Sequence, residues 1–262
     1  MPQDTTPGLP VLREDDGRGL VTLTLNRPQA FNALGEEVLA ALQRELASLA
    51  DDESVRVVVI AAAGKAFCAG HDLRQMLADP REAYYRDLFS RCGQVMLAIN
   101  RLPVPVIAKV QGVATAAGCQ LVAQCDLAVA SSTAKFAVSG INLGLFCATP
   151  SVALSRNVGR KQAFEMLVTG EFIDAGEARA RGLVNRVAEP EALDAAVEAL
   201  VDSILAKPRV ALAMGKQLFY RQLEAGLEAA YQDAVQTMAC NMVDACAQDG
   251  VRAFVEKKPA RP

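Results

Sequence analysis

The chain has 262 residues, 52% hydrophobic and 22% charged, with a formal net charge of −3: the composition of a folded globular protein, long enough for one large domain or two smaller ones. Lys and Arg are scattered among acids, so no basic field gathers nucleic acid, and no apolar stretch approaches the ~20 residues that cross a bilayer. A single histidine excludes a zinc site built from imidazoles, and seven cysteines without a C-x-x-C pair or a charged-then-apolar leader point to buried thiols in a reducing cytoplasm.

Met1–Pro10 is Pro/Thr-rich and reads as a loose terminus. LVTLTLN, Leu20–Asn26, alternates as a strand does and is ended by Arg27-Pro28. Within Glu36–Leu49, apolar residues at 38, 39, 42, 46 and 49 make a helical stripe. RVVVIAA, Arg56–Ala62, is a continuous apolar run, the mark of a strand covered on both faces. The loop KAFCAGHDLRQM follows, then a helix over Glu82–Asn100 and a strand over Val104–Val110. A second round brings a turn at Gly112, a small-residue helix over Ala117–Gln124, a strand over Cys125–Ser131 and a short strand at KFAV. From Arg160 the pattern is helical over 161–169, 174–181, 190–205, 210–224, 225–244 and 247–257, with a short strand at 182–188.

These elements predict a mixed α/β core over residues 11–200 and a helical C-terminal region over 201–262. Strand-strand-helix units recur loosely along the first part. The C-terminal helices carry wide apolar faces (Leu218, Phe219, Leu223, Leu227, Tyr231, Val235 and Met238) that can pack on the core or on another subunit. Oligomerisation is the expectation.

Both strongly apolar strands run into a small-residue turn that opens a helix: CAGHDL after the first, QGVATAAGCQL after the second. A helix start presents backbone N–H groups with no partner of their own, where negative charge is welcome. Two such turns facing one another aim two donors at one oxygen, which is an oxyanion hole made without side chains.

In this order, LTLNRPQAFNAL, KAFCAGHDLRQM, PVPVIAKVQGVATAAGCQLVAQCDLAVAS, FAVSGINLGL, GRKQAFEMLVTGEFIDAGEARARGLVNRV and GVRAFVEKK resemble the crotonase family of enoyl-CoA hydratases and isomerases, from Leu20 to Lys258. Within it, CAGHDLR with ATAAGCQLVAQCD and GLFCATP looks most like the enoyl-CoA hydratase domain-containing protein 3 group. The resemblance implies a spiral of ββα units, helical trimerisation (commonly as a dimer of trimers) and an acyl-CoA thioester as ligand. Coenzyme A then enters as part of the substrate, with no separate cofactor and no metal. The oxyanion donors carried over are the N–H of His71 and the N–H of Ala117, where the family usually has glycine. Arg27, Lys65, Ala69, His71, Leu73 and Arg74 match stretches that line the coenzyme A route. Phe254 and Lys257 match the terminal helix that reaches a neighbouring subunit's ligand.

The chain departs from the family's hydratases at two places. Their paired glutamates correspond to Gln120 in GCQL and Gly140 in FAVSGINLG. Glutamine is neutral and takes no proton at ordinary pH; glycine has no side chain, and it can hold a dihedral that no side chain adopts. From Phe136 to Ser155 no acidic residue occurs. Cys147 stands at the position matching a tyrosine of decarboxylating relatives and reads as a packing thiol. The His71 ring is expected to border the ligand pocket or to bond locally rather than act as base, Asp72 to begin a helix, and Asp126 to be structural. Three functions stay open: a hydratase/isomerase-class enzyme with Gln120 orienting water or substrate, a decarboxylase or thioesterase using the same hole, and a non-catalytic acyl-CoA-binding scaffold.

Overall fold

Apolar patterning decides where each strand sits. In the computed structural model, which describes residues 8–256, β1 (Val11–Asp15) and β2 (Leu20–Leu25) form an antiparallel pair. α1 (Glu36–Ala50) buries Val38, Leu39, Leu42, Leu46 and Leu49, the stripe read from the sequence. β3 (Val57–Ala62) lies parallel to β2 and is buried over its first five residues, as a run without polar alternation requires.

Three strand-strand-helix units then follow. The first is β3, β4 (Ala66–Cys68) and the helices α2 (Leu73–Ala78) and α3 (Glu82–Arg101). The second is β5 (Val106–Val110), β6 (Val113–Thr115) and α4 (Ala117–Gln124); the third is β7 (Leu127–Ser131), β8 (Lys135–Ala137) and α5 (Ala148–Asn157). α6 (Arg160–Thr169), β9 (Ile173–Asp174), α7 (Ala175–Ala180), β10 (Arg186–Ala188) and α8 (Leu193–Leu205) complete the body. The first strand of each unit joins a six-stranded sheet ordered β1-β2-β3-β5-β7-β10, and the second joins a four-stranded sheet ordered β4-β6-β8-β9. The expected spiral of ββα units is the observed architecture.

Five elements before residue 160 were not legible. β4 and β6 have three residues each, too few to show a period, and β1 buries only Val11. α2 has six residues and buries none. α5 carries Pro150 in its first turn, which a helix tolerates because N–H groups there have no intrahelical acceptor.

α8 covers one face of the large sheet, packing Leu193, Val197, Val201 and Ile204 on Val57, Val59, Ile107 and Val129. Each such side chain contributes about 1.5–3 kcal/mol on full burial. The boundary expected between residues 200 and 201 falls inside this helix. Beyond it come α9 (Arg209–Leu223), α10 (Leu227–Met242) and α11 (Ala245–Val255). No helix among the described residues is long and apolar enough to cross a membrane.

A buried charge fastens α9 to the body. The Lys216 ammonium donates to the carbonyls of Ile99 and Val104, each at 2.9 Å, and to Asp126 Oδ2 at 2.7 Å. Asp126 also accepts from the Val106 N–H and the Tyr220 hydroxyl, both at 2.6 Å, so its role is structural. Burial pulls the Lys216 pKa below its usual value, with the Asp126 carboxylate opposing. Removing one partner of a buried pair strands the other. Lys216→Met is therefore expected to lower stability by about 3–5 kcal/mol in chemical denaturation; an unchanged midpoint would show that α9 is held by its apolar contacts alone.

Candidate active site

The first glycine turn is held in place by the segment before α1. Ala69 N–H donates to the Phe31 carbonyl at 3.0 Å, and Leu34 N–H donates to the Gly70 carbonyl at 2.7 Å. Phe31 and Asn32 reach this position in left-handed conformations, φ 51° and 53°. The buried Asn32 amide fixes that turn: Oδ1 accepts from Arg27 N–H at 2.8 Å, while Nδ2 donates to the carbonyls of Ala63 and Ala66 at 2.8 and 2.9 Å. Gly70 turns the chain at φ +94°, where an L side chain is strained. Asp72 caps α2, accepting from the N–H groups of Arg74 at 2.9 Å and Gln75 at 3.3 Å.

The second turn is pinned at both ends. Ala116 N–H donates to the Ala137 carbonyl, and the Ala116 carbonyl accepts from Gln120 N–H, each at 3.0 Å. Ala117 is the first residue of α4, so its N–H lies among those a helix leaves unpaired. A Cβ on Gly118 would lie 2.1 Å from the Cys68 carbonyl oxygen, which shows how closely α4 presses on the end of β4. A Cβ on Gly70 would lie 3.3 Å from Ala117 N. The two turns therefore face one another. Neither His71 N–H nor Ala117 N–H donates to a backbone acceptor among the described residues.

This junction opens into a cavity of about 560 Å³. Of the residues singled out in the sequence, Ala69, His71, Asp72, Leu73, Arg74, Ala117, Gly140 and Cys147 line it. Arg27, Lys65, Gln120 and Phe254 are not in its wall. Arg27 pairs with Glu37, Lys65 is exposed beside Gly64, and Phe254 is exposed on α11. Gln120 is buried on α4 with its Oε1 lacking a partner. Lys257 lies outside the described residues. Sequence reasoning missed much of the apolar wall: Phe31, Met76, Phe89, Leu143, Leu145 and Phe146. The Phe-Asn pair was its one local signal, because asparagine readily takes the left-handed conformation that places Phe31 at the mouth.

His71, Cys147 and Ser139 of this wall already make hydrogen bonds. His71 Nδ1 sits 3.1 Å from the Leu34 carbonyl, so it carries the proton, and Nε2 is a buried lone pair without a partner. The ring packs against Phe89 with centroids 5.2 Å apart. Burial pushes its pKa below the usual histidine value, opposed by the Leu34 carbonyl. The ring thus forms part of the cavity wall with its Nδ1 committed to Leu34. Cys147 is buried, its thiol donates to the Val138 carbonyl at 3.4 Å, and burial raises its pKa, all of which make it a packing thiol. Ser139, also in the wall, hydrogen-bonds Thr115 through the two hydroxyls at 2.8 Å. At Gly140 the dihedral is ordinary and the obstacle is space: a Cβ would meet the Leu145 carbonyl oxygen at 2.7 Å and Cys147 Sγ at 2.8 Å. Such a site can stabilise negative charge on an oxygen, and the one carboxylate in its wall, that of Asp72, caps α2 through Oδ1.

Comparison with known proteins agrees with this geometry. The Enoyl-CoA hydratase/isomerase family pattern matches residues 15–261. Enoyl-CoA hydratase domain-containing protein 3, mitochondrial, of Xenopus laevis is 42% identical over 250 residues, covering 95% of this chain and 84% of that protein. The crystal structure of human enoyl coenzyme A hydratase domain-containing protein 3 is 40% identical, covers 97% of this chain and 100% of its own, and superposes with a TM-score of 0.93. That of an enoyl-CoA hydratase from Mycobacterium smegmatis is 66% identical, covers 96% and 98%, and superposes with a TM-score of 0.95. With its spiral of ββα units and its paired turns, this chain belongs to the crotonase family, the enoyl-CoA hydratases and isomerases.

Proposed function

We propose that the protein binds an acyl-CoA thioester with its carbonyl oxygen between the N–H groups of His71 and Ala117, and stabilises the charge that develops there. The observation that carries this reading is the pair of unpartnered N–H groups, set face to face by the approach of Gly70 to Ala117 at the end of an apolar cavity. Donors fixed in advance in a site that excludes water lower the energy of an enolate or a tetrahedral intermediate without reorganising. Ala69, Leu73 and Arg74 lie along the same cavity and suit the pantetheine and its phosphates. The exposed apolar residues Leu227, Tyr231, Val235, Met238 and Phe254 support a trimer, or a dimer of trimers, formed through the C-terminal helices. In that assembly Phe254 and Lys257 serve a neighbouring subunit's ligand.

Hydration of an enoyl-CoA fits this site poorly. Gln120 cannot act as a base, Gly140 has no side chain, and the one carboxylate in the wall, that of Asp72, is given to capping α2 through Oδ1. Reactions that need the oxyanion hole and no carboxylate pair, namely decarboxylation and thioester hydrolysis, fit better. Calorimetric titration with a non-reactive acyl-CoA tests the reading; no binding at millimolar ligand would overturn it. In steady-state assays the protein is expected to hydrate crotonyl-CoA very slowly. Turnover of a malonyl-type thioester would assign decarboxylation, and hydrolysis of a saturated thioester would assign thioesterase activity. Binding without turnover of any of these would assign an acyl-CoA-binding scaffold, while fast hydration would refute the importance of the two absent carboxylates.

The role assigned to His71 belongs to its backbone. His71→Asn keeps the N–H and offers an amide donor to the Leu34 carbonyl, so acyl-CoA binding is expected to persist; His71→Pro, checked for folding, removes the donor and is expected to lose it. A second consequence concerns pH. The folded pKa lies below the unfolded value of about 6.5, so this part of the stability is complete above that pH and is lost as pH falls from there through the folded pKa. The denaturation midpoint of the wild type should therefore fall more as the pH drops below about 6.5 than that of His71→Asn. Parallel loss in both proteins would place the titrating group elsewhere.

Gly140→Glu combined with Gln120→Glu is expected to leave hydration unrestored. The new Cβ must displace the Leu145 carbonyl and the Cys147 sulfur, and overpacking of this kind costs about 1–3 kcal/mol. Recovery of crotonyl-CoA hydration by the double variant would show that the 145–147 loop yields easily.

A further inference from the structure

We propose that the Ala116 methyl is a specificity-determining group: it narrows the site at the carbon next to the thioester carbonyl, admitting acyl groups unbranched there and excluding α-branched ones. This rests on the acyl-CoA reading above.

Ala116 adopts φ 50° and ψ −121°. This is the first central position of a type II′ turn, where a side chain is strained and glycine is at ease. The strain is imposed by the fold, because the Ala116 N–H is tied to Ala137 and its carbonyl to Gln120. Glycine would satisfy both bonds without strain, so the methyl is not there for the turn.

The methyl does occupy a place of consequence. Ala116 lines the cavity, and a Cβ on the facing Gly70 would approach the Ala116 Cβ to 2.9 Å. The gap between the two turns is thus set from one side, by residue 116, since Gly70 contributes no side chain. Ala116 also directly precedes the Ala117 donor. An oxygen held by the Ala117 and His71 N–H groups stands beside this methyl, and a second substituent on the adjacent carbon competes with it for the same gap. A hydrogen on that carbon fits where a methyl does not.

The test uses non-hydrolysable ketone analogues, with a methylene in place of the thioester sulfur and the carbonyl kept, of two isomeric ligands, pentanoyl-CoA and 2-methylbutanoyl-CoA, titrated calorimetrically into wild type and Ala116→Gly. The wild type is expected to prefer the straight-chain analogue by about tenfold or more, and Ala116→Gly to reduce that preference to about threefold or less, in line with what one methyl contributes to discrimination. Its melting temperature should rise as the strain is relieved. Ala116→Ser, which keeps the Cβ, should retain the wild-type preference. A wild type that binds both analogues equally well overturns the inference and leaves the acyl-CoA reading standing, as does a folded Ala116→Gly with an unchanged ratio. A wild type that binds neither analogue overturns the acyl-CoA reading itself, and this inference with it.

Discussion

The candidate site depends on one close approach, that of the start of α4 to the end of β4. Gly118 comes so near Cys68 that even a Cβ would lie 2.1 Å from the carbonyl oxygen. Only a residue without a side chain lets the second strand-turn-helix unit press this far into the first. Once it does, Ala117 N comes level with Gly70, and two helix starts that would otherwise present separate N–H groups share one opening. The wider fold holds that approach in register. β4 pairs with β6 in the small sheet, β3 with β5 in the large one, and each turn continues directly from these strands. The spiral places equivalent turns of successive units side by side, so a pair of facing donors follows from repetition of the unit.

The chemistry of the cavity is set by which groups are already committed. Asp72 spends its Oδ1 on the first turn of α2, His71 spends Nδ1 on Leu34, and Cys147 donates to Val138. What is left for a ligand is the backbone, a largely apolar wall, the Ser139–Thr115 hydroxyl pair and the side chains of Gln29, Arg74 and Thr149. Placing a base here takes more than changing one residue type. The space that a Cβ on Gly140 would enter is filled by the Leu145 carbonyl and the Cys147 sulfur, so Gly140 and Cys147 belong to one packing arrangement.

Much of the frame was legible in the sequence because long elements announce their period. The stripe of α1, the apolar run of β3 and the helices from Arg160 onward matched their observed spans within a few residues. The short pieces were not: β4 and β6 are too brief for any pattern, yet they carry the two turns. The turns could be found by their glycines and small residues, whereas Phe31, Phe89 and the Leu143–Phe146 segment enter the wall through tertiary packing alone. The exposed apolar faces of α10 and α11 show the converse case, where the sequence revealed a surface without saying what covers it.

Ala116 shows why residue type and backbone conformation must be read together. In the sequence, Ala116-Ala117-Gly118 reads as a minor variation on glycine, and for Ala117 that reading suffices, since it opens a helix with dihedrals any L-residue adopts. One position earlier the same substitution means something else, because the chain there turns through φ 50°. A methyl at that angle is held against a conformational penalty on the order of 1–3 kcal/mol. The fold can carry such a penalty because the hydrogen bonds on either side fix the turn whichever residue occupies it. A strained side chain that also faces the ligand cavity is therefore explained by what it does to the opening between the two donors, and that is where selectivity among acyl groups should reside.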